Sequence, residues 1–181
     1  DTIEAKADDV ATIEALAAAF ASTHVVYVEV PVARLPAAPV AALIAAVERM
    51  PGVEAAYGEL RVIGIVSNGS RSDVFDGKGV DRDGQRRVLP GADDLIKAGR
   101  SLEDDPNEVV LGQLLAEKLG VSVGDQVAIV VKTLQGGIDL MYGEVVGVKS
   151  GSHFPSATYL EMNLSRAQRF LRLPNRVSQV L

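Results

Sequence analysis

The sequence predicts an α+β fold in two lobes, a βαβ lobe carrying an inserted β-rich lobe. Three observations predict it. Thr23–Val32, Leu35–Met50 and Val53–Ser67 read in turn as strand, helix and strand. After Ser67 the composition shifts to short β-branched runs divided by Gly and Asp pairs. Helical periodicity then returns at Asn163–Leu173, before a closing strand at Arg176–Leu181. The expected division places residues 1–67 with 163–181 in the first lobe and residues 68–162 in the second.

Residues 1–21 carry Ile3, Val10, Ile13, Leu16 and Phe20 at helical spacing with acidic residues between them. They predict an amphipathic helix, packed on the domain's own core or continuing as a stalk from a membrane helix. Thr23–Val32 is rich in β-branched residues, and its near-continuous hydrophobicity predicts a central strand. Pro36 and Pro39 suit the first turn of the next helix, whose Leu43, Ile44 and Val47 point inward and which Pro51-Gly52 ends. Val62, Ile63, Ile65 and Val66 form the apolar part of the following strand. This strand–helix–strand run predicts a βαβ unit or half of a ferredoxin-like split βαβ.

Ser67–Asp105, with its SNGS, DGKG and DRDG stretches, reads as loops with short strands and a hairpin about Asp83-Gly84. Ala98-Gly99-Arg100 closes it. The most patterned stretch is Glu108–Val131. Glu108–Leu111 predicts a strand and Gly112 opens a short helix. Leu111, Leu114, Leu115 and Leu119 share one face, and Gly120 suits a left-handed helix cap. Gly124-Asp125 predicts a turn and Gln126–Val131 a strand. Gln135-Gly136-Gly137 predicts a hairpin turn into Ile138–Lys149. A loop at Ser150–Ser156 and a strand at Ala157–Met162 follow. In the last helix Leu164, Ala167, Phe170 and Leu171 lie on one face.

Composition narrows function. The 181 residues are 48% apolar and 23% charged, as in a globular chain with one sizeable core or two small ones. The net charge of −6 argues against a nucleic-acid backbone binder and against a general attraction to anionic lipid. The chain has no cysteine, which excludes a disulfide scaffold, thiolate zinc and a cysteine nucleophile. Without Trp and with 4% aromatics, a stacking platform for sugars or bases is not expected. Neither a transmembrane run nor a signal peptide is visible. The chain opens at Asp1 without Met and ends within an expected strand, so it is expected to be a segment of a longer protein.

Motifs for chemistry fail on inspection. Asp81-Arg82-Asp83-Gly84 would place Gly79 and Pro90 at the first and last calcium positions of an EF-hand loop, so a solvated turn is expected. Around Gly77-Lys78-Gly79, Ser72 stands where a P-loop needs glycine, and no Ser or Thr follows the lysine. Gly64–Gly69 has one residue too many for a nucleophile elbow. His24 and His153 have no second histidine at helical spacing, and Ser150 or Ser152 beside His153 makes a poor catalytic pair. Asp93-Asp94 and Glu103-Asp104-Asp105 are sequence neighbours expected to face solvent. No catalytic, cofactor-binding or metal-binding residue is therefore assigned.

The order of these pieces carries a resemblance. Met50-Pro51-Gly52-Val53-Glu54 is followed by Ala98-Gly99-Arg100, then by Val110-Leu111-Gly112 with Ala116, Leu119-Gly120 and Val123-Gly124-Asp125. Val145-Val146-Gly147-Val148 and Ala167-Gln168 complete the set, which spans about residues 25–181. Together they resemble the MacB-like periplasmic core domain of ABC-transporter permeases, the type that includes the macrolide exporter, the lipoprotein-releasing permeases and FtsX-like proteins. Residues 1–21 match no motif of that family, and Ser67–Leu89 is not distinctive. The resemblance implies a porter-type βαβ lobe with an inserted sabre-type β lobe, held outside the cytoplasmic membrane between the first two of four membrane helices. It implies no catalytic residues and no cofactor. It further implies a cytoplasmic ATPase as partner, a second permease protomer, an extracytoplasmic adaptor or acceptor, and motion passed outward on ATP hydrolysis. A different expectation is a free-standing extracytoplasmic module binding a lipid, lipopeptide or small molecule between its lobes. An unrecognised hydrolase would rest only on the Ser/His and acidic pairs. Cargo or partner contacts are expected in Ser67–Leu89 and at the Gln135–Gly137 tip, exposed stretches of the kind that carry binding.

Overall fold

In a computed structural model, the structure describes residues 3–6, 26–31, 40–133, 136–150 and 158–181. Ten strands and four α-helices are described. The strands are β1 (Ile3–Lys6), β2 (Val26–Pro31), β3 (Gly58–Ser67), β4 (Ser72–Val80), β5 (Ile96–Gly99), β6 (Glu108–Gly112), β7 (Gln126–Lys132), β8 (Ile138–Lys149), β9 (Leu160–Asn163) and β10 (Gln179–Val180). The helices are α1 (Val40–Glu48), α2 (Arg82–Val88), α3 (Gln113–Leu119) and α4 (Leu164–Phe170), and Ala92–Leu95 forms a 3-10 turn. The fold is mixed α+β and rich in sheet.

Strands β2 and β3 both run antiparallel to β10, which lies between them, so β2 and β3 are parallel to each other. Helix α1 falls between β2 and β3 in the chain, giving a split βαβ topology. Its Leu43 and Val47 are buried with Val177 and Val180, which keeps the inward face the spacing predicts. Strand β2 has partners on both edges, β1 and β10, as its hydrophobic run predicts.

Six strands, β3 among them, form a closed ring. β3 pairs with β4, β4 with β9, β9 with β6, β6 with β8, β8 with β7, and β7 returns to β3. Closure leaves few bare edges. It is possible because β3 and β8 are long enough to serve two neighbours on one edge. β3 meets β10 at Gly58 and Glu59 and β7 at Gly64–Ser67. β8 meets β7 over Ile138–Glu144 and β5 over Gly147–Lys149.

Alternation along the ring strands sends one set of residues inward. Val62, Val66, Phe75, Leu111, Ile129 and Leu160 meet there with no exposure, joined by Leu115 and Leu119 from α3 and by Ala167 and Phe170 from α4. Each of these Val, Leu, Ile and Phe side chains contributes roughly 1.5–3 kcal/mol of burial. The outward residues of part of the wall make a second core. Val80, Val110 and Val146 lie beneath Leu102 and Ile96, so the segment from α2 through β5 to Leu102 covers that part of the wall.

Several expectations need correction. The helix expected over residues 1–21 is contradicted at its start, because Ile3–Lys6 is a strand paired in parallel with Val26–Glu29. Residues 7–25 lie outside the described residues. The hairpin expected at Asp83-Gly84 is instead the first turn of α2, and the turn that returns β3 into β4 lies at Asn68-Gly69. Gly84 marks a close approach here, since a Cβ on it would lie 2.4 Å from the Tyr57 Cβ. The DGKG stretch is strand β4 rather than loop. Leu114 shares a helix with the buried Leu115 and Leu119, yet is itself exposed. Ile63 and Ile65 lie on the outward parity of β3 and are half exposed. The strand expected at Ala157–Met162 covers Leu160–Asn163, and the closing strand shortens to Gln179–Val180. The predicted turns at Gly120 (φ 69°) and Gly124 (φ 94°) are present; of the turn expected at Gln135-Gly136-Gly137, Gln135 lies outside the described residues, while Gly136 and Gly137 are hydrogen-bonded to Thr133.

Candidate functional site

Of the acidic residues singled out by sequence, Asp93 and Asp105 are bonded into loop clamps. Arg82 donates through Nη1 to the Leu102 carbonyl at 2.6 Å and through Nη2 to both Asp93 carboxylate oxygens at 3.0 Å. Asp93 also accepts from Arg86 Nε at 3.1 Å and Ser101 Oγ at 2.7 Å. Burial opposes the Asp93 charge, but the bonds from Ser101 and Arg86 and the two arginine charges outweigh it and hold the carboxyl below its ordinary range. Asp81 accepts the Gln85 N–H through its backbone carbonyl at 2.9 Å, the first turn of α2. Asp105 caps its own loop by accepting from the Asn107 N–H at 2.7 Å.

Asp81, Asp83 and Asp104 border an open depression of about 280 Å³ with Asn163 and Gln168. Among the described residues no group of three or more His, Asp or Glu side chains is placed to hold a metal ion. Lys78 sits in strand β4, where it cannot serve a phosphate-cradling loop. His24, His153 and Ser152 lie outside the described residues. Ser150 donates its N–H to the Leu95 carbonyl at 2.9 Å.

Asn163 holds the acidic loop to the barrel. Its Nδ2 donates to the Glu103 carbonyl at 2.9 Å and the Asp105 carbonyl at 2.8 Å. Asn163→Ala removes both bonds and is expected to cost about 1–2 kcal/mol. Amide exchange should quicken at residues 103–105 and stay unchanged in β7. Unchanged exchange in the loop would show that other contacts hold it.

Sequence reasoning missed a buried ionic network on the covered part of the wall. Glu161 of β9 accepts from Lys149 Nζ of β8 at 2.7 Å and from Gln85 Nε2 of α2 at 3.0 Å. Glu59 of β3 accepts from Lys78 Nζ of β4, from the Tyr57 hydroxyl at 2.7 Å and from Gln179 Nε2 of β10 at 3.0 Å. Burial works against ionised Glu161, yet the charges of Lys149 and Lys78 and the bonds from Lys149 and Gln85 bring its pKa below the ordinary value. Burial, then the neighbouring carboxylate charge, pushes the Tyr57 and Tyr159 hydroxyls well up. Two charged pairs are thus held out of water, away from the depression beside α2. The network draws on five strands, β3, β4, β8, β9 and β10, and on α2. A strand reading LEMN, with one Glu between two core residues, was the available signal.

Arg166 of α4 is a second internal tie. It donates to the backbone carbonyls of Pro106 and Tyr142 and to Asn107 Oδ1 at 3.2 Å.

The arrangement is a cross-braced body without an assembled reaction centre among its described residues. Its fold is similar to three solved structures. The periplasmic region of MacB from Actinobacillus actinomycetemcomitans aligns at a TM-score of 0.57 and 16% identity, covering 81% of this chain and 65% of that one. The extracellular domain of the noncanonic ABC-type transporter YknZ from Gram-positive bacteria aligns at 0.58 and 16%, covering 83% and 75%. A domain of a putative permease protein from Porphyromonas gingivalis aligns at 0.51 and 16%, covering 75% and 63%. The chain therefore spans about two thirds of the MacB region it matches. No curated protein matches. The model of the MacB-like periplasmic core domain matches residues 4–181, and the chain belongs to this family of ABC-transporter permease domains.

Proposed function

We propose that this domain is the extracytoplasmic part of a permease subunit in the cytoplasmic membrane, and that it is non-catalytic and transmits motion. A cytoplasmic ATPase drives the movement. Flanking membrane helices carry it, and the domain passes it to cargo or to an extracytoplasmic adaptor or acceptor. A second permease protomer completes the transporter. Residues 1–67 with 163–181 act as the porter-type lobe that receives the movement, and residues 68–162 as the sabre-type lobe that delivers it.

The observation that supports this reading is the bracing across β3. That strand belongs both to the split βαβ and to the closed ring, and Glu59 within it joins β10 to β4. A force applied to one region would reach the other through a strand and its hydrogen bonds rather than through a flexible linker.

The test uses the whole permease with its ATPase. Replacing the domain by a flexible Gly/Ser linker should leave basal ATP hydrolysis intact and abolish ATP-dependent export. Export that persists without the domain, or turnover of a substrate by the isolated chain, overturns the proposal.

A further inference from the structure

The ring wall is covered on one part by the α2–β5 segment and is bare on another. The bare part is the outward face of β4, β3, β7 and β8. Register fixes its pattern. Val74 pairs with Ile65, Ile65 with Val130, and Val130 with Leu140, so one apolar row crosses all four strands. Ile63 and Ile138 lie on the row to one side and Tyr142 on the row to the other. Val130 is half-buried, while Ile63, Ile65, Val74, Ile138, Leu140 and Tyr142 range from 49% exposed at Ile65 to 76% at Ile138.

Their exposed surface is on the order of 600 Å², at the upper end for a monomer's largest patch. It is also most of the ~800 Å² per partner in a standard interface. No described element packs on it. The rim carries both signs in alternation. Arg61 pairs with Asp76 beside Ile63, Lys132 pairs with Ile138 on the same row, and exposed Glu144 lies two residues beyond Tyr142. A membrane surface would favour a uniformly basic rim, and a strongly charged partner a rim of one sign. A mixed rim suits a face that meets itself.

We propose that this four-stranded face is an isologous docking surface for a second copy of the chain. A two-fold axis along the strands, between β3 and β7, sets Val74 and Ile65 of one copy against Leu140 and Val130 of the other. The same operation brings Lys132 of each copy beside Asp76 of the other. The two walls then stack as sheets do in a sandwich, about 10 Å apart. This docking does not rest on the transport reading. If the chain does act within a paired permease, tethering would raise the local concentration to the millimolar range, and a weak contact would suffice.

Sedimentation of the 181-residue chain from about 10 μM to about 1 mM tests this, the upper limit being set by that tethered regime. A reversible monomer–dimer equilibrium is expected. Ile65→Asp and Leu140→Asp should each weaken it at least about tenfold with unchanged melting, while Leu114→Asp, exposed on α3, should leave it unaltered. Lys132→Glu should weaken it through the rim alone, which keeps the test valid if an apolar-to-Asp variant misfolds. A chain monomeric at 1 mM overturns the proposal, as does a dimer indifferent to all three face variants. Flotation of a monomeric chain with vesicles containing anionic phospholipid, lost in Ile65→Asp, would assign the face to a membrane and equally overturn it.

Discussion

Glu161→Ala is expected to lower stability by about 3–5 kcal/mol, because removing one member of a buried ion pair strands the other. Lys149 has a nearly buried side chain with Glu161 as its ion-pair partner at 2.7 Å, and Gln85 loses its acceptor as well. For a chain of this size the melting temperature should fall by about 10 °C or more. The double replacement Glu161→Met with Lys149→Met should recover much of the loss, since a well-packed apolar pair removes the desolvation cost together with the attraction. The wild type should also weaken in acid. The carboxyl's folded pKa lies below its ordinary value of 4.5, so its contribution is complete above pH 4.5. That contribution is lost as pH falls from there through the lower folded value. Glu161→Ala should lack this component. Thermal melts of the parent and the two variants between pH 3 and pH 7 check all of this. A single variant that melts with the parent would show that the pair is not a structural tie.

How much of this was legible beforehand differs by element. The split βαβ could be read because its helix and strands carry uninterrupted apolar patterns, and the turns at Gly120 and Gly124 because their residues suit no other conformation as well. Strand β1 was misread because Ile3 falls in helical register with Val10, and only its pairing with β2 reveals the strand. β4 was misread for a chemical reason. Gly77 and Gly79 within DGKG signal turns when taken locally, yet here Gly77 makes room for the Leu160 backbone and Gly79 for the Ala167 side chain of α4. Ring closure depends on β3 and β8 each serving two partners along one edge, and no window of sequence contains that fact. The absence of an assigned site was an expectation from failed motifs. The buried network escaped notice because Glu59, Lys78, Lys149 and Glu161 are ordinary surface residues by type, and only folding brings them together. The bare face was hidden by the same alternation that predicts strands, since Ile63 and Ile65 read as core until the register sends them outward.

Gly77→Ala should be among the most damaging small substitutions in the chain. A Cβ at this position would lie 2.1 Å from the Leu160 carbonyl oxygen and 2.9 Å from its carbon, so strand backbone rather than a mobile side chain stands in the way. Leu160 cannot retreat easily, because β9 is bonded to β4 on one edge and to β6 on the other, with Leu111 opposite Leu160 itself. The expected cost is about 3 kcal/mol or more, at or beyond the upper end of ordinary overpacking. Amide exchange should quicken along β4 and β9. Gly137→Ala is the matched control, since its nearest neighbour is the Thr133 hydroxyl at 3.3 Å, and it should melt close to the parent. The two large predictions are also coupled. Lys78 follows Gly77 and pairs in register with Glu161, which follows Leu160. Spreading β4 from β9 therefore loosens the ionic network, and the combined loss in Gly77→Ala with Glu161→Ala should be smaller than the sum of the two. Strict additivity, or a Gly77→Ala variant melting within about 2 °C of the parent, would mean that the wall yields at this seam.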